Sequence, residues 1–188
     1  KKKKMSFILS DKKFLLGHQY RHLLLDKIIN SSMDIDLYGS GIETYKKFNP
    51  EFYLNKYNDL RENGIRTHMQ AFNHYQKFGK HEGRFCYDPT YKGYFKDTEP
   101  YDDYQFSIAI ENSTSKCYIS EKFVDPIVRG CIPIYLGAEN IENYFGTTGY
   151  YKLTGNLDED IKIIENIYNN YQKYVVKLDN IQNEIFNN

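Results

Sequence analysis

The stretch from Tyr104 to Gly137 constrains the fold more than any other part of the chain. Phe106 to Ile110 is a short apolar run rich in β-forming residues, and it ends abruptly in Glu111, Asn112, Ser113, Thr114 and Ser115, which favour turns and helix caps. Residues 119–130 read as a helix closed by Gly130, and Ile132 to Tyr135 as a second strand ending at Gly137. A buried strand therefore delivers polar groups at its C-terminal end. That end is where open α/β sheets bind ligands, and the next helix points its partly positive N-terminus into the same crevice. Anions are the expected guests.

The flanking sequence extends this pattern. Met5 to Leu9 suits a first strand, followed by a loop at Ser10-Asp11-Lys12-Lys13. From His18 to Ile29 the residues Leu23, Leu24, Leu25, Ile28 and Ile29 form a helical stripe, with Arg21 near the first turn on a more polar side. Met33 to Tyr38 alternates like a strand and stops at Gly39-Ser40-Gly41, completing a βαβ unit. Residues 43–95 then lack any apolar strand run. They carry aromatics at helix-like offsets (Phe48, Phe52, Tyr53, Tyr57), with Pro50 suited to a first helical turn and Gly64 to a stop. The wound pattern resumes after Pro100, with a short helix over Glu139 to Tyr144, a strand over 149–153, and a helical tail from Leu157 to Phe186 long enough for one bent helix or two. The expected architecture is α/β: a Rossmann-like, doubly wound, mainly parallel sheet built from residues 1–42 and 91–188, carrying a small all-helical insertion over 43–90.

Charge and composition exclude several partners. Lys plus Arg and Asp plus Glu both number 25 in 188 residues, which removes a broad electrostatic drive toward nucleic acid. Any anion site must be local. No apolar stretch approaches the roughly 20 residues of a membrane span, and no signal-peptide pattern opens the chain. Cys86, Cys117 and Cys131 are too few and too scattered for a disulfide framework or a zinc cluster. These features suit a bacterial cytoplasm or the cytoplasm of a virus-infected host; a trimmed upstream membrane stem would leave the same sequence and point to the Golgi lumen. The chain opens Lys1-Lys2-Lys3-Lys4 without an initiator Met, which reads as part of something longer. No metal is expected. Asp34 and Asp36 alternate in a strand without further ligands, and His68, His74 and His81 are spaced by six and seven rather than three or four.

Tyr118, Glu121 and Lys122 fall at the start of the helix after the polar loop, where spacings of three and four put them on one face. A lysine there offers a point charge to phosphate, free backbone N–H groups add donors, and a carboxylate accepts from ribose or sugar hydroxyls. A nucleotide-sugar fits that set. An ordinary solvent-facing Glu-Lys pair has the same spacing.

The runs Tyr104-Gln105-Phe106-Ser107-Ile108-Ala109-Ile110-Glu111-Asn112-Ser113, Tyr118-Ile119-Ser120-Glu121-Lys122 and Gly130-Cys131-Ile132-Pro133-Ile134-Tyr135-Leu136-Gly137 strongly resemble the donor-binding signature of the alpha-1,3/4-fucosyltransferases, glycosyltransferase family 10. Gly17-His18-Gln19-Tyr20-Arg21 and Asp36-Leu37-Tyr38-Gly39-Ser40-Gly41 look like its upstream elements. The resemblance implies the C-terminal half of a two-domain GT-B enzyme that moves fucose from GDP-fucose to a glycan hydroxyl with inversion and without a cofactor. By position, it implies that Arg21 and Lys122 hold the diphosphate, that Tyr118 and Glu121 meet fucose or ribose hydroxyls, and that Asn112 and Ser113 line the nucleotide crevice. Tyr38 and Glu111 are weaker candidates for the same site. The general base of similar enzymes belongs to an N-terminal acceptor-binding domain, so it is expected outside this chain.

Similar enzymes pass more directly from the Tyr-Gly turn to the signature, whereas Phe48 to Leu60 and His74 to Arg84 resemble a short helical module appended to other glycosyltransferases and surface proteins. Its aromatics read as its own small core. Two other functions remain open on the residues alone: a GT-B transferase using another nucleotide-sugar, and a non-catalytic carbohydrate or protein interaction module.

Overall fold

Strands that alternate with helices and are buried on both faces need few polar residues, and the buried stretches of the central strands, Met5–Phe7 and Phe106–Ile110, carry only Ser6 and Ser107. The computed structural model describes residues 1–187. Its six strands are β1 (Lys3–Ile8), β2 (Asp36–Tyr38), β3 (Tyr91–Gly93), β4 (Tyr104–Ile110), β5 (Ile132–Leu136) and β6 (Tyr151–Lys152). They form one sheet in the order β3-β2-β1-β4-β5-β6, and every pairing is parallel. Phe106 faces Ile132 and Ile108 faces Ile134 across the β4–β5 ladder. The result is the doubly wound α/β sheet that the sequence predicts.

The direction of winding reverses between β1 and β4. From β1 the chain steps one way to β2 and β3, then crosses back to β4 and continues the other way. Right-handed crossovers place the helices of the two halves on opposite faces, so the loops after β1 and β4 part and leave a crevice. Helix α1 (Leu16–Ile29) follows β1, and α5 (Glu99–Asp102) and α6 (Glu121–Val128) flank β4 in sequence, after α2 to α4 described below. Beyond β5 come α7 (Glu142–Phe145), α8 (Leu157–Asn169), α9 (Tyr171–Tyr174) and α10 (Asp179–Asn187). Helix α8 packs on α1, and α10 on α6 and α7. No helix among the described residues is long and apolar enough to cross a membrane.

Residues between β2 and β3 are helical, in α2 (Pro50–Lys56), α3 (Asn58–Glu62) and α4 (His68–His74). Asn49 caps α2 by accepting from the Phe52 N–H, and Pro50 occupies its first turn. Thr67 and Gln70 form a capping box at α4. Tyr53, Leu54, Leu60 and Ala71 bury one another in a cluster separate from the sheet core, and Arg84 closes it with a bidentate pair to Asp59 at 3.0 and 2.9 Å.

Three details differ from the sequence reading. Residues 43–95 do contain a strand, β3, which was hidden because an edge strand can be held by backbone bonds alone. The Leu37 and Gly39 N–H groups donate to Thr90 and Gly93 carbonyls at 2.8 and 2.7 Å. Strand β2 covers only Asp36–Tyr38, and Asp36 is drawn into the sheet by Lys3 and the Tyr104 hydroxyl while Asp34 stays exposed. The tail makes three helical segments rather than one or two, because it breaks at Asn170 and again at residues 175–178, where Val175 and Val176 are exposed.

Asp160 ties the two ends of the chain to each other. Its fully buried carboxylate accepts from the Tyr20 hydroxyl of α1, the Thr154 N–H and hydroxyl, and the Gly155 N–H. Each carboxylate oxygen faces two donors, so an amide in either orientation would turn its NH₂ toward a donor. Asp160→Asn is expected to cost about 2–4 kcal/mol of unfolding free energy in urea titration. A loss below about 0.5 kcal/mol would show that this anchor is dispensable.

Candidate functional site

A cleft of about 440 Å³ opens at the C-terminal ends of β1 and β4, where the winding reverses. Ile8, Ser107 and Ala109 line its sheet side; Glu121, Lys122 and Asp125 come from α6; Phe95 and Tyr101 come from the opposite wall. Lys12, His18, Arg21 and Asn112 line it from the segments that follow β1 and β4.

Arg21 reaches the cleft because α1 starts against the loop after β4. The Gly17 N–H donates to the Asn112 carbonyl at 3.2 Å, and a Cβ on Gly17 would lie 1.9 Å from the Glu111 carbonyl oxygen. Only glycine permits that approach. One turn on, Arg21 is buried rather than on the polar side that the helical pattern suggested, with 4 % exposure. Its guanidinium donates to the Ile110 carbonyl at 2.7 Å and to Asn112 Oδ1 at 2.6 Å. Burial lowers its pKa and the carboxylates of Glu111 and Glu121 oppose that shift. An arginine remains charged under any such shift.

Glu111 follows directly on β4 and is almost fully buried. It accepts from the Ser120 N–H at 2.8 Å and the Ser120 hydroxyl at 2.6 Å, which fixes the residue capping α6 to the end of the strand. Ser120 Oγ in turn accepts from the Lys122 N–H. The Lys122 ammonium lies 2.7 Å from Glu121, 3.2 Å from Ser120 Oγ and 3.9 Å from Glu111. That pairing holds the Glu121 carboxyl below its usual range. The cleft thus presents two fixed cations beside a helix N-terminus, balanced locally by acids that a more highly charged ligand could displace.

Of the residues singled out in the sequence, Arg21, Asn112, Glu121 and Lys122 come together on the cleft. Tyr118 does not share a helical face with them, because α6 begins after the Ser120 cap and Tyr118 sits in the preceding loop, 39 % exposed. Ser113 bonds Ser115 in the same loop, Tyr38 bonds Tyr104 on the sheet, and Glu111 turns toward Ser120; none of the three lines the cleft wall. His18, Ser107 and Asp125 line it without having been singled out. The i to i+4 step from Glu121 to Asp125, and the i to i+3 step from His18 to Arg21, are the sequence signals that could have found two of them.

Comparison with known proteins agrees with this geometry. The model of glycosyltransferase family 10 (fucosyltransferase), C-terminal part, matches residues 55–177, well over half of the chain. The chain belongs to that family. The match starts within α2 and leaves β1, α1 and β2, and hence Arg21, outside it. A segment of 42 residues is 48 % identical to alpha-(1,3)-fucosyltransferase B of Drosophila melanogaster, covering 22 % of this chain and 10 % of that protein. Another of 41 residues is 44 % identical to GDP-fucose protein O-fucosyltransferase 3 of Xenopus tropicalis, covering 22 % of this chain and 9 % of that one. The matched segments thus span about a tenth of the length of these curated relatives. A crystal structure of an alpha1,3-fucosyltransferase superposes with a TM-score of 0.52 at 17 % identity, over 96 % of this chain and 37 % of that one, a likeness of fold.

His18 supplies a pH test of the site. Burial, then the nearby Arg21 and Lys12 charges, lower its pKa below the ordinary 6.5. The unfolded chain therefore takes up this proton first, and the associated stability is present above pH 6.5 and lost as pH falls through the lower folded value. Urea unfolding at pH 7.5 and 5.5 should show a smaller acid loss in His18→Gln than in the wild type. An equal loss would show that His18 stays uncoupled from folding.

Proposed function

We propose that this chain is the donor-binding part of a fucosyltransferase that moves fucose from GDP-fucose to a glycan hydroxyl with inversion, as the C-terminal half of a GT-B enzyme. The observation that carries the reading is the meeting of Arg21, Lys122 and the start of α6 in one cleft at the switch point of a family 10 sheet. Support for the nucleotide comes from the name of the Xenopus relative, a GDP-fucose protein O-fucosyltransferase.

In this reading the acceptor oxygen attacks the anomeric carbon as its bond to the diphosphate breaks. The sugar becomes oxocarbenium-like and the departing GDP gains negative charge. Arg21 from its fixed position, and Lys122 once turned toward the diphosphate, stabilise that charge, an effect on the order of 3 kcal/mol for a single well-placed donor. Lys122 exchanges its contact with Glu121 for the phosphate, which frees Glu121 to accept from a ribose or fucose hydroxyl. Tyr118, exposed on the loop that leads into α6, reaches the sugar from outside the cleft. Asn112 serves by orienting Arg21.

The base that deprotonates the acceptor lies outside this chain, in an acceptor-binding domain. Residues 43–90 form a separate helical unit in the same reading, and no described residue among them lines the cleft. Titration calorimetry of the chain with GDP-fucose, with GDP-mannose and UDP-glucose as controls, tests the proposal. Selective binding of GDP-fucose, weakened roughly tenfold or more in Lys122→Ala, is expected. Failure of folded protein to bind any of the three would overturn it.

A further inference from the structure

His18 is a buried titratable group of the cleft to which the donor reading gives no task. It is 6 % exposed, sits one turn before Arg21 on α1, and forms part of the cleft wall. Its Nδ1 accepts from the Leu15 N–H at 3.3 Å, so the neutral ring carries its proton on Nε2. The Asn112 side chain, which accepts from Arg21 at 2.6 Å, also takes a hydrogen bond from this ring. Cations face it from three segments: Lys12 from the loop after β1, Arg21 from its own helix, and Lys122 from α6. The acids of the site stand with those cations, for Glu121 holds Lys122 at 2.7 Å and Glu111 lies 3.9 Å from it, while Asp97 and Asp125 complete the charged lining. Burial, then the charges of Arg21 and Lys12, lower the pKa of His18, and the ring is neutral at pH 7.

A neutral imidazole among three cations changes state when an anion arrives. In the donor reading a diphosphate, charged on both phosphates, enters between Arg21 and Lys122 and cancels the field that keeps a second proton off the ring. That proton enters at Nδ1, where it displaces only the long bond from Leu15. Resting on the donor reading above, we infer that His18 takes up a proton from solvent as the diphosphate binds, so that donor and proton bind together and the imidazolium becomes a further cation of the site. The sign follows from linkage. The complex holds more protons than the free chain, so affinity rises as pH falls, and it levels off once the free ring is protonated as well.

GDP-fucose is the probe, because each of its phosphates is bonded on both sides and neither titrates near neutrality, whereas free GDP ends in a phosphate with a second pKa of about 6. Calorimetry of the full chain at pH 8.0 and 6.0 should show the affinity for GDP-fucose rising roughly 3- to 10-fold toward acid. At pH 7.0, enthalpies measured in two buffers of different ionisation heat should show net proton uptake on binding. In His18→Gln the affinity should change by less than about twofold between the same two pH values, and the uptake should vanish. Glutamine there can still accept from the Leu15 N–H, as the third residue of a capping box does, so the start of α1 is kept. Affinity that is flat with pH in the wild type, or uptake that persists unchanged in His18→Gln, would overturn the proton coupling and leave the donor reading standing. Absence of GDP-fucose binding by the folded wild type at both pH values would overturn the donor reading and this coupling with it.

Discussion

A guanidinium taken out of water must find fixed acceptors, and Arg21 finds them on the last residues of the neighbouring strand. Its bonds to the Ile110 carbonyl and Asn112 Oδ1 join the start of α1 to the end of β4 across the point where the sheet changes its direction of winding. Everything on that side of the molecule follows from this junction. It places a permanent cation on the crevice and leaves the next loop to be fastened by Glu111 and Ser120. Asp160 supports the same helix from behind through Tyr20, so the cation is held from both sides.

The electrostatics of the cleft suit exchange better than permanent capture. Lys122 rests against Glu121, with buried Glu111 behind it. In the proposed donor role, a diphosphate would bring more charge than the single Glu121 carboxylate it replaces at Lys122. In that proposed role, the acids that remain nearby keep a product diphosphate from being trapped by an uncompensated pair of cations.

The sheet was legible in the sequence because its central strands are apolar on both faces and its helices carry clear stripes; β1, β4, β5 and α1 fall within a few residues of their expected places. Strand β3 was not, since Tyr91–Gly93 has no hydrophobic signature and pairs through its backbone. The break of the helical tail at residues 175–178 was not legible either, since Val175 and Val176 continue its apolar pattern while facing solvent. At the site, Lys122, Glu121 and Asn112, which the signature loop singled out, line the cleft. The burial of Arg21 could not be read from α1 alone, because its partners lie some ninety residues away. Ser107 is a further case: a serine in an apolar run looks like an interruption of the strand until the cleft beside it is seen.

A crystal structure of this chain with GDP bears most directly on the account. It should show the diphosphate within hydrogen-bonding distance of both the Arg21 guanidinium and the start of α6, with Lys122 turned from Glu121 toward it. GDP bound elsewhere, for example in the cavity lined by Lys2, Lys3, Lys4 and Lys92 beside Asp36, with Arg21 and Lys122 unmoved, would contradict it.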